Sequence, residues 1–146
     1  MLIRHGRDEH LADACHRRKF PLCLYYSIAD WHQPNYPNQG RHHELPPQPG
    51  DQPDLMKYLE FLKAQVRELC TQYGKIDVLW YDVSLPMESW EGWDSLARNQ
   101  KMRELQPGII INNRSCMDED FGTPEENLTP EKKGRDWESC MTFNGA

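Results

Sequence analysis

Asp82 closes the apolar run "IDVLWYD" and is the residue of this chain best placed for carboxylate chemistry. Trp80 lies two positions earlier, so both side chains point to the same side of an extended strand. An indole ring beside a carboxylate suits a sugar, because the apolar face of a pyranose lies on the ring while its hydroxyls take hydrogen bonds. Arg114, in "INNR", can bind a hydroxyl or hold a carboxylate in place.

Hydrolysis of a glycosidic bond needs a second carboxyl group, because one group acts on the sugar and the other on the leaving oxygen. Two later segments supply one each. Glu125 ends "TPE", and Glu138 lies within "DWES". The pattern therefore predicts a carboxylate pair built from Asp82 and one of these two glutamates.

Three helix-to-strand units of the sequence position these carboxylates and their neighbours. Asp54 is a suitable N-cap and Gly74 a suitable stop for the middle helix, which carries its apolar residues at helical spacing. Each helix leads into an apolar run of the kind found in buried parallel strands. The predicted helices are 8–19, 54–74 and one within 89–107, and the predicted strands are 20–28, 75–82 and 108–114, with a short final strand near 137–143.

Polar or aromatic side chains close each predicted strand, and parallel strands present their carboxyl ends at one rim. Tyr25, Asp82 and Arg114 should therefore face a common site. No G-x-G-x-x-G or phosphate-loop motif follows any of these strands, which argues against a nucleotide site. No G-x-S-x-G elbow occurs either, which argues against a serine hydrolase.

Composition narrows the choice of partner. The 146 residues suit one domain, and 11 prolines with 9 glycines predict long loops. A net charge of -6 argues against nucleic acid, which needs a positive face. No apolar stretch approaches the roughly 20 residues of a membrane span. The start "MLIRHGRDEH" lacks the apolar core of a signal peptide.

Cysteine and histidine usage gives no metal or disulfide pattern. The five cysteines form no C-x-x-C pair and are expected to be buried free thiols. His32, His42, His43 and Glu44 lie in a proline-rich loop without H-E-x-x-H spacing. We therefore expect no metal site and no cofactor.

Five ordered blocks resemble the α-L-fucosidases of glycoside hydrolase family 29. The resemblance implies that Asp82 is the catalytic nucleophile and that Tyr25, Trp80 and Arg114 contact the sugar. The blocks, in order, are "FPLCLYYSIADWHQPNY", "QVRELCTQYGKIDVLWYD", "RELQPGIIINNR", "DFGTPEE" and "RDWESCMTFNG".

The resemblance also implies a retaining mechanism with a covalent fucosyl-enzyme, in which the second carboxyl lies about 5 to 5.5 Å from the nucleophile. Glu138 is the preferred acid/base, because its neighbour Trp137 would lower the local dielectric and favour the protonated form that a proton donor needs. Glu125 is the alternative. Val83 replaces the glycine that commonly follows the nucleophile in the family.

In fold, the resemblance implies a partial (β/α)8 TIM-like barrel with about three β/α units and long loops. Residues 1–146 would be the middle part of a single catalytic domain, with upstream strands and a C-terminal β-sandwich outside the chain. The implied substrate is a fucosylated oligosaccharide or glycoconjugate, and the implied location is secreted, periplasmic or lysosomal. Two alternatives remain: a retaining glycosidase of another sugar specificity, or a non-catalytic sugar-binding or structural α/β fragment.

Overall fold

The computed structural model describes residues 6–37, 48–82, 89–129 and 134–142. Within these ranges helices and strands alternate, as the sequence predicts. The elements are α1 (Gly6–Arg17), β1 (Cys23–Ser27), α2 (Leu55–Gln72), β2 (Val78–Asp82), α3 (Ser95–Leu105), β3 (Ile110–Ile111) and a 3-10 helix (Asn113–Ser115).

The three strands form one parallel sheet in the order β1-β2-β3, so strands that follow one another in sequence are neighbours in space. The register pairs Tyr25 with Trp80 and Ser27 with Asp82. The carboxyl ends of β1 and β2 are therefore level. This alignment places the residues at both strand ends at one edge of the sheet.

Helix α2 anchors the core. Asp54 caps its first turn, because its side chain accepts a hydrogen bond from the Lys57 backbone N–H. Leu59, Leu62 and Val66 are spaced three and four residues apart and are all buried. The predicted helix and its buried face are thus confirmed, and they fix the chain that leads into β2.

The sheet is buried on one face only. Leu79 and Tyr81 of β2 have no exposed surface, whereas Val78, Trp80 and Asp82 on the other side are half-buried. In β3 the same contrast separates the fully buried Ile111 from Ile110, which is 44% exposed. Among the described residues, helices therefore cover one face of the sheet alone.

The end of β3 differs from the predicted strand 108–114. Regular pairing stops at Ile111, and Asn112 continues the ladder with its side chain. Its amide nitrogen donates to the Tyr81 carbonyl at 2.8 Å, and its oxygen accepts from the Tyr81 N–H at 2.8 Å. The main chain is thereby free to turn into the 3-10 helix that carries Arg114.

Three smaller expectations also fail. The sequence of α1 puts Leu11, Ala14 and Cys15 on one side of the helix and suggests that this side packs, but Leu11 is 59% exposed and its neighbour Ala12 is buried instead. All five cysteines are free thiols, yet only Cys70 is buried. The expected final strand is reduced to isolated parallel bridges, Gly122 with Trp137 and Glu125 with Cys140.

In the part of the chain that the structure describes, no helix is long and apolar enough to cross a membrane. The same residues contain no group of three or more His, Cys, Asp or Glu side chains arranged to hold a metal ion. His32 is exposed, whereas His42, His43 and Glu44 lie outside the described residues.

Candidate functional site

Asp82 and Tyr25 meet at the carboxyl edge of the sheet. The Tyr25 hydroxyl donates a hydrogen bond of 2.7 Å to Oδ2 of Asp82. Tyr25 is 62% exposed, so the structure places it at an open surface and not in the core. Burial and the hydrogen bond to Asp82 raise the Tyr25 pKa to about 12, against a smaller opposing effect of Arg114. The phenol is therefore a proton-bearing donor to this carboxylate at any neutral pH.

The Tyr25 and Trp80 rings form the floor of the site. They are stacked with centroids 5.6 Å apart and planes inclined by 18°. The parallel register sets this contact, since the two residues are direct partners across β1 and β2. The sequence predicts aromatic rings next to a carboxylate for a sugar site, and both rings are present beside Asp82, although each covers one face of the other and Arg114 lies over the Trp80 ring.

Arg114 links Asp82 to the following loop. One terminal nitrogen of its guanidinium lies 3.6 Å from Oδ1 of Asp82, and the other lies 3.0 Å from Oε2 of Glu125. The guanidinium carbon also lies 5.7 Å from the Trp80 ring centroid. Arg114 and Asp82 are about three-quarters buried at their side chains, whereas Glu125 is 63% exposed. The guanidinium thus holds a buried and an exposed carboxylate at once.

A buried hydroxyl fixes the Arg114 side chain. Arg114 Nε donates to Thr123 Oγ1 at 2.8 Å, and the Thr123 hydroxyl donates in turn to Asn113 Oδ1 at 2.7 Å. The same oxygen of Asn113 accepts from the Thr123 backbone N–H at 3.1 Å. Thr123 is only 3% exposed. Arg114 is therefore oriented by a closed hydrogen-bond chain before any ligand arrives.

Glu138 reaches the site from the last described segment. The Trp80 indole N–H donates a hydrogen bond to its carboxylate. The indole that contacts Glu138 is therefore that of Trp80, while its sequence neighbour Trp137 is 38% exposed. Glu138 is itself exposed. Its carboxylate contacts the Trp80 indole, whereas Arg114 pairs with the Glu125 carboxylate.

The two glutamates come from adjacent segments. The Glu138 N–H donates to the Gly122 carbonyl at 3.0 Å, and the Cys140 N–H donates to the Pro124 carbonyl at 3.1 Å. Residues 122–126 and 137–142 consequently run side by side. This pairing brings Glu125 and Glu138, which are separated in sequence, to the same edge of the site.

The pKa of the Cys140 thiol is affected by the charged side chains of the site. Burial raises the pKa of its thiol, Arg114 opposes that rise, and the carboxylates of Glu138, Glu125 and Asp82 add to it. The four charged side chains predicted from the sequence thus all lie near enough to affect the pKa of this thiol.

The structure brings all six predicted site residues together through direct contacts: Tyr25, Trp80, Asp82, Arg114, Glu125 and Glu138. Sequence reasoning missed Thr123, Asn113 and Cys140. The first two have a weak signal in "INNR" and "GTPE", where small polar residues flank the predicted arginine and glutamate. Cys140 has no signal beyond its position two residues after Glu138.

A carboxylate, a phenol, a guanidinium and two further carboxylates around an aromatic floor can bind a polyhydroxylated ring. Asp82 can also act as a nucleophile, because its two oxygens are held by Tyr25 and Arg114 on either side. The glutamates are candidates for proton transfer to and from the ligand. This combination is the carboxylate chemistry used in glycoside hydrolysis.

Comparisons with known proteins agree with this chemistry. The family model described as Alpha-L-fucosidase matches residues 7–146. A search of curated proteins finds no match.

Solved structures give the same picture. Alpha-L-fucosidase isoenzyme 1 from Paenibacillus thiaminolyticus is similar with a TM-score of 0.72 and 33% identity, over 93% of this chain and 37% of that chain. Alpha-L-fucosidase AlfC from Lactobacillus casei, in complex with α-L-fucose product, is similar with a TM-score of 0.69 and 27% identity, over 90% of this chain and 44% of that chain. The chain spans less than half the length of either structure. Since the family model covers nearly the whole sequence, the chain belongs to the α-L-fucosidase family.

Proposed function

We propose that this chain carries the nucleophile and acid/base region of a retaining α-L-fucosidase, which releases L-fucose from fucosylated glycans by double displacement. The observation that carries the proposal is the placement of Asp82, whose two carboxylate oxygens face the Tyr25 hydroxyl and the Arg114 guanidinium. Such a carboxylate is oriented and its charge is stabilised, which suits it to attack one fixed carbon atom.

We also propose that the sheet is part of a (β/α)8 barrel and that residues 1–146 are the middle of one catalytic domain. The sequential parallel strand order agrees with a barrel wall, in which each strand pairs with the next one along the chain. The open face carrying Tyr25 and Trp80 would be the inside of that barrel. The remaining strands would cover it, since a parallel sheet is normally buried on both faces.

In the first step Asp82 attacks the anomeric carbon of the fucosyl residue. A carbon–oxygen bond to Asp82 forms while the glycosidic bond breaks, and the leaving oxygen takes a proton from Glu138, the preferred acid/base, or from Glu125. In the second step the same glutamate takes a proton from water, and the hydroxide oxygen displaces Asp82. L-Fucose leaves with its anomeric configuration retained, and both carboxyl groups return to their starting states.

The other side chains bind and orient the sugar. Trp80 and Tyr25 present the stacked surface for its apolar side. Arg114 reaches the site as a charged donor for sugar hydroxyls, fixed by Thr123. No step requires a metal ion or an organic cofactor.

Related structures supply the probe substrates. Variants of AlfC have been solved in complex with Fucα(1,6)GlcNAc and with 4-nitrophenyl α-L-fucopyranoside. We expect the full-length enzyme that contains this chain to hydrolyse both compounds. A panel of other aryl glycosides tests the alternative of a different sugar specificity, which would be shown by faster release from another sugar.

The nucleophile is tested by replacing Asp82 with Gly in that enzyme. Hydrolysis of the aryl fucoside should be lost, and added azide should restore release of nitrophenol with formation of β-fucosyl azide, because azide fills the vacated space and attacks from the same face. Asp94→Gly is a matched control, since Asp94 lies outside the site and has a φ of 49°, which favours glycine. Unchanged activity in Asp82→Gly would remove Asp82 from the mechanism.

A further inference from the structure

A cavity of about 280 Å³ lies between α2 and α3, on the helix side of the sheet. Arg98, which lines it, places its guanidinium carbon 4.8 Å from the centroid of the Tyr81 ring. Tyr81 points to the buried face of β2, opposite to Asp82. The sheet therefore separates this cavity from the proposed catalytic site. The lining residues are Lys63, Arg67, Ala97, Arg98, Lys101 and Met102.

The cavity combines an apolar floor with a cationic rim. Lys63 and Arg67 are four residues apart on α2 and so share one face of that helix, as Ala97 and Lys101 do on α3. Met102 is buried, and the methylene stems of the long cationic side chains extend the apolar surface. Both cation-bearing faces border the same cavity, so their charges converge on one volume.

The positive charge on the rim is only partly balanced. Lys63 contacts the Asp94 carboxylate, and Lys101 lies 2.7 Å from the Glu104 carboxylate. Neither acid lines the cavity. Arg67 takes part in no ion pair within the ranges that the structure describes. Exposed ion pairs of this kind contribute little stability, so both lysines can turn toward a ligand at little cost.

Arg98 adds a buried charge at the cavity wall. It is 2% exposed and donates to the Trp93 carbonyl at 2.9 Å and to the Ser95 hydroxyl at 3.1 Å, both of which are neutral groups. Its Nε is buried and has no hydrogen-bond partner among the described residues. A buried guanidinium without a carboxylate partner is costly. An anion held in the cavity would offset that cost.

We propose that this cavity binds an organic anion, in which a sulfate, phosphate or carboxylate group is attached to a short apolar body. The cations of the rim bind the charged group, and the apolar body lies on Ala97 and Met102. The volume is just below the roughly 300 to 1,000 Å³ of drug-sized ligand sites, so a body of about six carbon atoms fits. The inference goes beyond the proposed function, since no step of it requires a glycosidic bond.

Three probes separate the contributions of charge and apolar surface. Hexyl sulfate carries both, inorganic sulfate has the charge alone, and 1-hexanol has the chain alone. Isothermal titration calorimetry of the full-length enzyme at constant ionic strength should show one site for hexyl sulfate. Its Kd should be at least about tenfold lower than that of either other probe. Hexanoate then distinguishes a carboxylate from a sulfate as the preferred group.

Exposed positions test the site without disturbing the core. Arg67→Gln removes one cation and should raise the Kd for hexyl sulfate about three- to tenfold. Ala97→Glu places a carboxylate at the rim and should raise it more than about tenfold, because this group repels the ligand and pairs with the cations. Lys57→Gln is the matched control, since Lys57 lies on α2 outside the cavity, and its Kd should stay within about twofold of wild type. Circular dichroism checks that all three variants fold.

Several results would overturn the proposal. Equal affinity for hexyl sulfate and inorganic sulfate would contradict the role of the apolar floor, and equal affinity for 1-hexanol would contradict the role of the cations. Absence of saturable hexyl sulfate binding would exclude the site. Binding that is unchanged in both Arg67→Gln and Ala97→Glu, or weakened equally in Lys57→Gln, would place the ligand elsewhere on the protein.

Discussion

The Tyr25 hydroxyl donates a hydrogen bond of 2.7 Å to the Asp82 carboxylate across 57 positions of sequence. Parallel pairing of β1 and β2 makes this contact, because Tyr25 is level with Trp80 and Asp82 follows two residues later on the same face. The bond couples the aromatic floor of the site to its proposed nucleophile.

The first prediction concerns this phenol. Its pKa is raised from 10 to about 12, so it stays protonated in the folded protein while an unfolded chain ionises it. Its contribution to stability is complete below pH 10 and is lost as the pH rises from 10 to about 12. Ultraviolet difference titration of wild type against Tyr25→Phe should show one tyrosine with a midpoint near pH 12. A midpoint near 10 would show that the phenol is neither desolvated at the site nor hydrogen-bonded to Asp82.

The second prediction assigns the acid/base. Glu138→Gln should lower kcat/KM for Fucα(1,6)GlcNAc by about 10²- to 10⁴-fold, because the poor leaving group needs its proton. For an aryl fucoside with an acidic phenol, kcat/KM of Glu138→Gln should fall much less. Glu125→Gln is the matched variant and should lower kcat/KM for the two substrates more evenly. The reverse pattern would assign proton transfer to Glu125, which the structure places on Arg114.

The third prediction treats Thr123 as a positioning residue. Thr123→Val removes the hydroxyl that receives Arg114 Nε and leaves a largely buried N–H without its partner. We expect kcat/KM to fall about tenfold, the cost of roughly 1.4 kcal/mol. Thr123→Ser retains the hydroxyl and should recover most of the activity. Equal losses in both variants, measured with the aryl fucoside, would contradict this role.

The fourth prediction concerns the core under the sheet. Leu62 of α2 has no exposed surface, so Leu62→Ala should destabilise the folded protein by about 3 kcal/mol through a cavity. Met56 lies on the same helix and is 67% exposed. Met56→Ala should therefore change stability by less than about 0.5 kcal/mol. Chemical denaturation monitored by circular dichroism measures both, and similar losses would show that the packing of α2 is misjudged.

The fifth prediction is that these 146 residues, expressed alone, have no measurable fucosidase turnover and aggregate. Tyr25 and Ile110 are exposed by 62% and 44% on the uncovered face of the sheet. The outer edge of β1 has no strand partner among the described residues, and an unpaired edge promotes association. Light scattering and an aryl fucoside assay test both points, and a soluble, active chain would contradict them.

The sequence predicted the alternation of elements well, because helical spacing and N-cap chemistry are local properties. The burial of Leu59, Leu62 and Val66 followed from spacing alone. Burial on a single face of the sheet did not, since a continuous apolar run looks the same whether one face or two are covered. The expected packing of Leu11 failed for a related reason. Residue spacing predicts which side chains share a helix face, but it does not predict the neighbour against which that face packs.

The charged and aromatic residues of the site could be predicted from the sequence. Asp82, Trp80 and Arg114 stand at strand ends, where chain direction determines their placement. Thr123 and Asn113 were missed, because a hydrogen bond between side chains of two loops has no periodic signature. The Trp80 contact of Glu138 was missed as well, since sequence adjacency pointed to Trp137.

The Asn112 amide replaces a main-chain partner for Tyr81, and it does so at the point where β3 ends after two residues. The length of a strand is thus set by a side chain that mimics a peptide group. A one-residue extension of β3 would carry Arg114 along the sheet instead of turning it toward Asp82. The position of the Arg114 guanidinium therefore depends on Asn112, a residue that need never touch a substrate. A substitution of Asn112 would thus change the fold and the chemistry of the site together.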